Sequence, residues 1–143
     1  MRMDHNLRAD STAALDERRN TAKVLCVDDD PNVSESIARA FARHGVEVLR
    51  AFHGMQGLWL AANEKPDAIV LDLAMPKGRG EEILQCLKRN GETAHIPVIV
   101  LTGKGDPGLR RRMERLGADR FLAKPTPADA LLCEVRSLID ELA

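Results

Sequence analysis

Four short apolar runs punctuate the chain, and each ends in a polar, chemically useful residue. Lys23-Val24-Leu25-Cys26-Val27 leads into Asp28, Asp29 and Asp30, and Ala68-Ile69-Val70-Leu71 leads into Asp72. Val98-Ile99-Val100-Leu101 leads into Thr102, and Arg120-Phe121-Leu122-Ala123 leads into Lys124 and Pro125. Unbroken apolar runs of this length predict strands buried on both faces. A fifth run, Val46 to Ala51, admits Glu47 and Arg50 among its apolar residues, as an edge strand does. Helical stripes fill the gaps. Val33, Ile37, Phe41 and His44 mark the first, after an Asp30 cap and first-turn Pro31, and Gly45 ends it. Met55, Leu58, Trp59 and Ala62 mark the second; Ile83, Leu84 and Leu87 the third, stopped at Asn90-Gly91. Leu109, Met113 and Leu116 mark the fourth, opened by Asp106-Pro107 and closed by Gly117. Leu131, Val135, Leu138 and Leu142 line the fifth, behind a Thr126 cap, Pro127 and a capping-box-like Asp129.

Five strands in strict alternation with five helices predict an α/β fold. The sheet is parallel and doubly wound, with helices on both faces and right-handed crossovers. The mixed second strand belongs at an edge, which gives the order 2-1-3-4-5. In such a sheet all strand C-termini lie on one edge, where ligands bind. Asp28, Asp29, Asp72, Thr102 and Lys124 are therefore expected to converge. Carboxylates gathered there repel one another unless a cation joins them. Hard oxygen donors of this kind suit Mg²⁺, and the set as a whole suits phosphoryl chemistry.

Composition narrows the picture. A chain of 143 residues makes one domain, and a net charge of −1 gives no global reason for nucleic-acid or membrane affinity. No long apolar stretch or signal-like start is present, so a cytoplasmic location is expected. Cys26, Cys86 and Cys133 fit no metal spacing and read as buried thiols. His5, His44, His53 and His95 do not pair at a ligand spacing. Residues 1–21 are polar with mixed charges and are expected to form a flexible extension, the folded domain being 22–143. A short helix over 11–19 fits their spacing, and a partner-docking or dimer arm is the functional alternative.

Taken in order, Val27-Asp28-Asp29-Asp30-Pro31, Leu71-Asp72-Leu73-Ala74-Met75-Pro76, Leu101-Thr102-Gly103 and Phe121-Leu122-Ala123-Lys124-Pro125 are a specific combination. The chain from about Lys23 to Ala143 resembles the receiver domain of bacterial two-component response regulators, of the stand-alone, chemotaxis type. The resemblance implies a flavodoxin-like fold and a signalling phosphoacceptor rather than a metabolic enzyme. It makes Asp72 the acceptor of a phosphoryl group from a sensor histidine kinase or histidine phosphotransfer protein. Asp29 and Asp72 would ligate Mg²⁺ directly, Asp28 through water, and the Ala74 carbonyl would add a further oxygen. Lys124, the Thr102 hydroxyl and the Ala74 and Gly103 N–H groups would hold the phosphoryl oxygens. Thr102 and Phe121 would form the switch that presents a face to a downstream protein target, without direct nucleic-acid or membrane binding.

Two other readings compete. A haloacid-dehalogenase-type phosphatase would use Asp28-x-Asp30, but no acidic pair follows Lys124 and Asp72 is left idle. A receiver-like module acting without phosphate would not need the full acidic set. The chain also departs from the family pattern: Lys77-Gly78-Arg79-Gly80 replaces the usual turn after Pro76, and Gly103 stands where alanine is common. Arg110, Arg111, Arg112 and Arg115 make the fourth helix basic, either as a solvated face or toward an acidic partner. No output domain follows the fifth helix, so a stand-alone receiver is expected, or else one piece of a longer chain.

Overall fold

A computed structural model describes residues 21–76, 79–103 and 107–142. The expected extension and the Asp106 cap lie outside these residues. The strands are β1 (Lys23–Val27), β2 (Glu47–Ala51), β3 (Ala68–Asp72), β4 (Val98–Thr102) and β5 (Arg120–Ala123). The helices are α1 (Pro31–Ala42), α2 (Gly54–Glu64), α3 (Arg79–Arg89), α4 (Pro107–Arg115) and α5 (Ala128–Leu142). The five strands form one parallel sheet in the order β2-β1-β3-β4-β5, as the patterning predicted. All of β3 and β4 is buried, while β2 and β5 are partly exposed, as edges must be.

Side-chain alternation splits the core in two. Leu25, Val27, Ile69, Leu71, Val98 and Val100 face α2, α3 and α4. Val24, Cys26, Ala68, Val70, Ile99 and Leu101 face α1 and α5. Helix α1 starts as predicted: Asp30 accepts from the Asn32 N–H at 2.9 Å and Pro31 occupies the first turn. Gly45 (φ 75°) and Gly117 (φ 108°) take the left-handed backbone that reverses the chain after α1 and α4.

Several expectations need correction. In α2 the apolar stripe is not the buried face: Met55 and Trp59 are exposed, and Gly57 and Ala61 pack inward. Leu58 is only partly buried against that core. A Cβ on Gly57 would lie 2.9 Å from Val27 Cγ2, so the helix approaches the sheet too closely for large residues there. His44 and Leu142 are exposed beyond the buried turns of their helices. Cys86 and Cys133 are exposed; only Cys26 is a buried thiol, its pKa pushed up to about 12 chiefly by burial. Thr126 donates its hydroxyl to the Ala123 carbonyl at 2.6 Å, and α5 begins at Ala128. His53, given no metal role by its spacing, caps α2 by accepting from the Gln56 N–H at 3.3 Å.

Candidate functional site

The C-terminal ends of β1, β3, β4 and β5 meet where the sequence placed them. Asp28, just beyond β1, and Asp72, the last residue of β3, are 2 % and 4 % exposed; Asp29 is exposed. Carboxylate oxygens of all three lie within 4.8 Å of one another. Lys124, beyond β5, reaches across with Nζ 3.4 Å from Asp28 Oδ2 and 3.2 Å from Asp72 Oδ1. Buried carboxylates with a single bridging ammonium leave negative charge in excess, which is the chemistry of a divalent cation site. The donor set is all oxygen and includes one exposed member, so it fits Mg²⁺, which retains several of its waters.

Local backbone geometry holds these groups in place. The Asp30 N–H donates to Asp28 Oδ1 at 2.9 Å, and the Ala74 N–H donates to Asp72 Oδ1 at 2.9 Å. The Leu73 N–H donates to the Leu101 carbonyl, and the Lys124 N–H donates to the Thr102 carbonyl at 2.8 Å. The ends of β3, β4 and β5 are thus tied edge to edge. Thr102 is fully buried, Gly103 is exposed, and Thr102 pairs with Ala123 in the β4–β5 register. The Lys124–Pro125 peptide is cis.

Burial, the largest influence on Asp28, raises its pKa; the Asp30 N–H opposes this and the nearby Asp72 adds to it. Burial alone would lower the Lys124 pKa, but Asp72 and Asp28 together outweigh it and hold the ammonium above its ordinary value. Lys124 is therefore charged at neutral pH. A carboxyl that binds its proton more tightly in the folded state than in the unfolded one weakens the metal-free fold above its folded pKa. That deficit shrinks as pH falls through the titration. Asp28→Asn keeps the acceptor for the Asp30 N–H while removing one buried charge. The metal-free variant should be more stable at neutral pH, with a higher Tm. The advantage should narrow as pH falls into the carboxylate range. Thermal scans in a chelator check this; an equal or lower Tm for the variant at neutral pH would contradict the electrostatic reading.

Phe121 is half-buried within β5, paired with Val100 in register. Thr102 follows Val100 by two positions, so Thr102 and Phe121 share the α4 side of the sheet. The Arg110 guanidinium lies over the Phe121 ring at 5.9 Å from its centroid, a contact no spacing rule in the sequence announced. Two of the four arginines of α4 are already paired, Arg110 with Glu114 at 3.2 Å and Arg112 with Glu81 at 3.0 Å. A further residue that sequence reasoning missed is Gly80. A Cβ there would lie 2.6 Å from Leu73 Cα and 2.8 Å from the Asp72 carbonyl oxygen. Helix α3 therefore rests directly on the backbone that carries Asp72. Only the glycine within the atypical turn hinted at this.

Comparison with known proteins agrees with the geometry. The family model of the response regulator receiver domain matches residues 24–136. The regulator RpaA of Synechocystis, a DNA-binding dual master transcriptional regulator, is 37 % identical over 82 % of this chain and 48 % of its own. The chain thus spans about half the length of the first curated relatives it matches. Protein PilH of Pseudomonas aeruginosa is 34 % identical over 82 % of this chain and 98 % of its own. The solved receiver domain of the Francisella response regulator 1452 superimposes with a TM-score of 0.79 at 29 % identity, covering 86 % of this chain and all of that one. With the matched segment spanning all five strands and the acidic edge, the chain belongs to the response regulator receiver domain family.

Proposed function

We propose that this receiver takes a phosphoryl group on Asp72 and uses it to change the surface presented to a protein target. The observation that carries the reading is the Asp72 carboxylate itself, buried between Asp28, Asp29 and Lys124. A carboxylate oxygen of Asp72 attacks the phosphorus of a phosphohistidine on a kinase or phosphotransfer partner. One P–O bond forms, the P–N bond breaks, and the imidazole leaves as its N–H form, taking a proton from solvent. Phosphoryl transfer depends mainly on positioning and charge neutralisation. Bound Mg²⁺ would supply neutralisation of the phosphoryl oxygens. Asp29 and Asp72 would hold it directly and Asp28 through water, with the Ala74 carbonyl as a further donor. Lys124, already directed at Asp72, the Thr102 hydroxyl and the N–H groups of Ala74 and Gly103 take the remaining phosphoryl oxygens.

The chain promotes its own phosphotransfer and hydrolysis and is not an enzyme acting on other substrates. A phosphatase reading would leave Asp72 without a task. With a small phosphodonor and Mg²⁺, the expected result is a stoichiometric mass gain followed by release of that one group. Continuous turnover of varied phosphate esters would favour the phosphatase instead. The domain acts through proteins, not through nucleic acid or membrane. No described helix is long and apolar enough to cross a membrane.

The switch runs from Thr102 to Phe121. Drawn toward a phosphoryl oxygen, Thr102 leaves space on the α4 side of the sheet, and Phe121 turns into it and away from Arg110. Burying the exposed part of such a ring is worth at most roughly 1.5–3 kcal/mol, enough to bias two states without locking one. Beryllofluoride, a phosphoryl mimic, should therefore shift NMR signals of Phe121, of α4 including Arg110, and of α5, along with the site loops. Shifts confined to the loops of Asp28, Asp72 and Lys124 would overturn this route.

A further inference from the structure

Strand β1 ends at Val27 and helix α1 begins at Pro31, so Asp28, Asp29 and Asp30 form a short bridge between them. Asp29 stands in the middle of that bridge and is exposed. No packing fixes an exposed carboxylate, so the backbone on either side must place it. Both ends of the bridge are fastened to one dipeptide of the edge strand β2. The Asp28 N–H donates to the Ala51 carbonyl at 3.0 Å. Arg50 Nη2 donates to the Pro31 carbonyl at 2.9 Å.

Arg50 is held from several directions. Its register partner in β1 is Cys26, whose side chain lies on the α1 side of the sheet, so Arg50 points that way too. Its Nε donates to Ser34 Oγ at 2.9 Å, and that hydroxyl donates in turn to the Pro31 carbonyl at 3.3 Å. Ser34 is fully buried, and its N–H closes the first turn of α1 on the Asp30 carbonyl at 3.4 Å. Arg50 Cζ lies 5.1 Å from the centroid of the Phe52 ring. A charged residue that only protects a sheet edge extends into water; this one turns onto the start of a helix. Its partners there are a carbonyl, a hydroxyl and a ring, none of them a carboxylate. The planar fork, which reaches two acceptors at once, is therefore what the position uses.

We propose that Arg50 is a positioning residue for the metal: it clamps the helix end of the acidic bridge and so holds Asp29 where a cation can use it. The proposal rests on the reading of the acidic edge as a Mg²⁺ and phosphoryl site. Two effects of Arg50 have opposite signs. As a cation beside an acidic cluster it repels Mg²⁺, so loss of its charge alone would tighten binding. As a clamp it spares the metal the cost of ordering the bridge, so loss of the fork weakens binding. The clamp should dominate, because the charge is partly exposed and screened by water while the hydrogen bonds fix the backbone.

Titration calorimetry with Mg²⁺ on the unaltered chain, Arg50→Met and Arg50→Lys tests this. Arg50→Met keeps the apolar stem and removes both fork and charge; its affinity should fall about tenfold, as for other outer partners of metal sites. Arg50→Lys keeps the charge but not the fork, and should fall in between. In chelator, hydrogen exchange at the Asp29 and Asp30 N–H groups should be faster in Arg50→Met, with no metal involved, and circular dichroism reads the fold. A folded variant of either kind that binds Mg²⁺ as tightly as the unaltered chain, or more tightly, would overturn the proposal and leave the acidic edge as described. An unaltered chain that binds no Mg²⁺ would instead overturn the reading of the edge itself, and this proposal with it.

Discussion

Asp29→Ala should lose Mg²⁺ binding while keeping its fold. Asp29 is the exposed member of the acidic set, so its removal opens no cavity and leaves the Lys124 contacts to Asp28 and Asp72 in place. As a proposed direct ligand it should matter more than the outer partners of metal sites, whose loss alone weakens binding by about 10- to 100-fold. Affinity should therefore fall by more than about 100-fold. Phosphoryl uptake should fall with it, because the charge on the incoming group would face Asp28 and Asp72 with only Lys124 to offset it. Titration calorimetry reads the affinity and thermal unfolding in chelator reads the fold. An unchanged Mg²⁺ affinity would remove Asp29 from the coordination sphere.

Gly80→Ala should destabilise the protein and disturb Asp72 together. The added methyl carbon would meet only backbone: Leu73 Cα at 2.6 Å, the Asp72 carbonyl oxygen at 2.8 Å and the Leu73 carbonyl oxygen at 3.0 Å. None of these can rotate away. Either α3 lifts off the sheet, disturbing Ile83, Leu84 and Leu87 in the core, or the end of β3 moves. Overpacking of this kind costs about 1–3 kcal/mol. The helix propensity gained over glycine returns at most about 1 kcal/mol. A Tm lower by roughly 3–6 °C is expected, with weaker Mg²⁺ binding because the Asp72 backbone shifts. Gly91→Ala is the control, since a Cβ there meets nothing within 4 Å. A Gly80→Ala protein as stable as the unaltered chain would show that α3 is not pressed onto the acceptor strand.

Much of this was legible in the chain itself, for physical reasons. Fully buried strands such as β3 and β4 are otherwise apolar, so the buried polar residues at their ends, Asp72 and Thr102, stood out. Strand order followed from the mixed exposure of β2, an edge that tolerates Glu47 and Arg50. Once order and direction were known, convergence of Asp28, Asp29, Asp72 and Lys124 was a matter of topology. Closely packed interfaces were harder to read. In α2 the contact with Val27 is made by Gly57 and Ala61, because a close approach excludes bulk. A reading weighted toward large apolar residues therefore chose the opposite face. Gly80 was missed for the same reason. The Arg110–Phe121 contact joins a helix to a neighbouring strand, and neither sequence period encodes that juxtaposition.

The most direct test of the account is the location of the phosphoryl group. After incubation with acetyl phosphate and Mg²⁺, intact mass should show a single added phosphoryl group that is labile in base, as an acyl phosphate is. Peptide mapping should place it on Asp72, and Asp72→Asn should show no gain. A base-stable adduct, or one mapped to Ser34, Ser36 or Asp28, would contradict the assignment of Asp72 as acceptor.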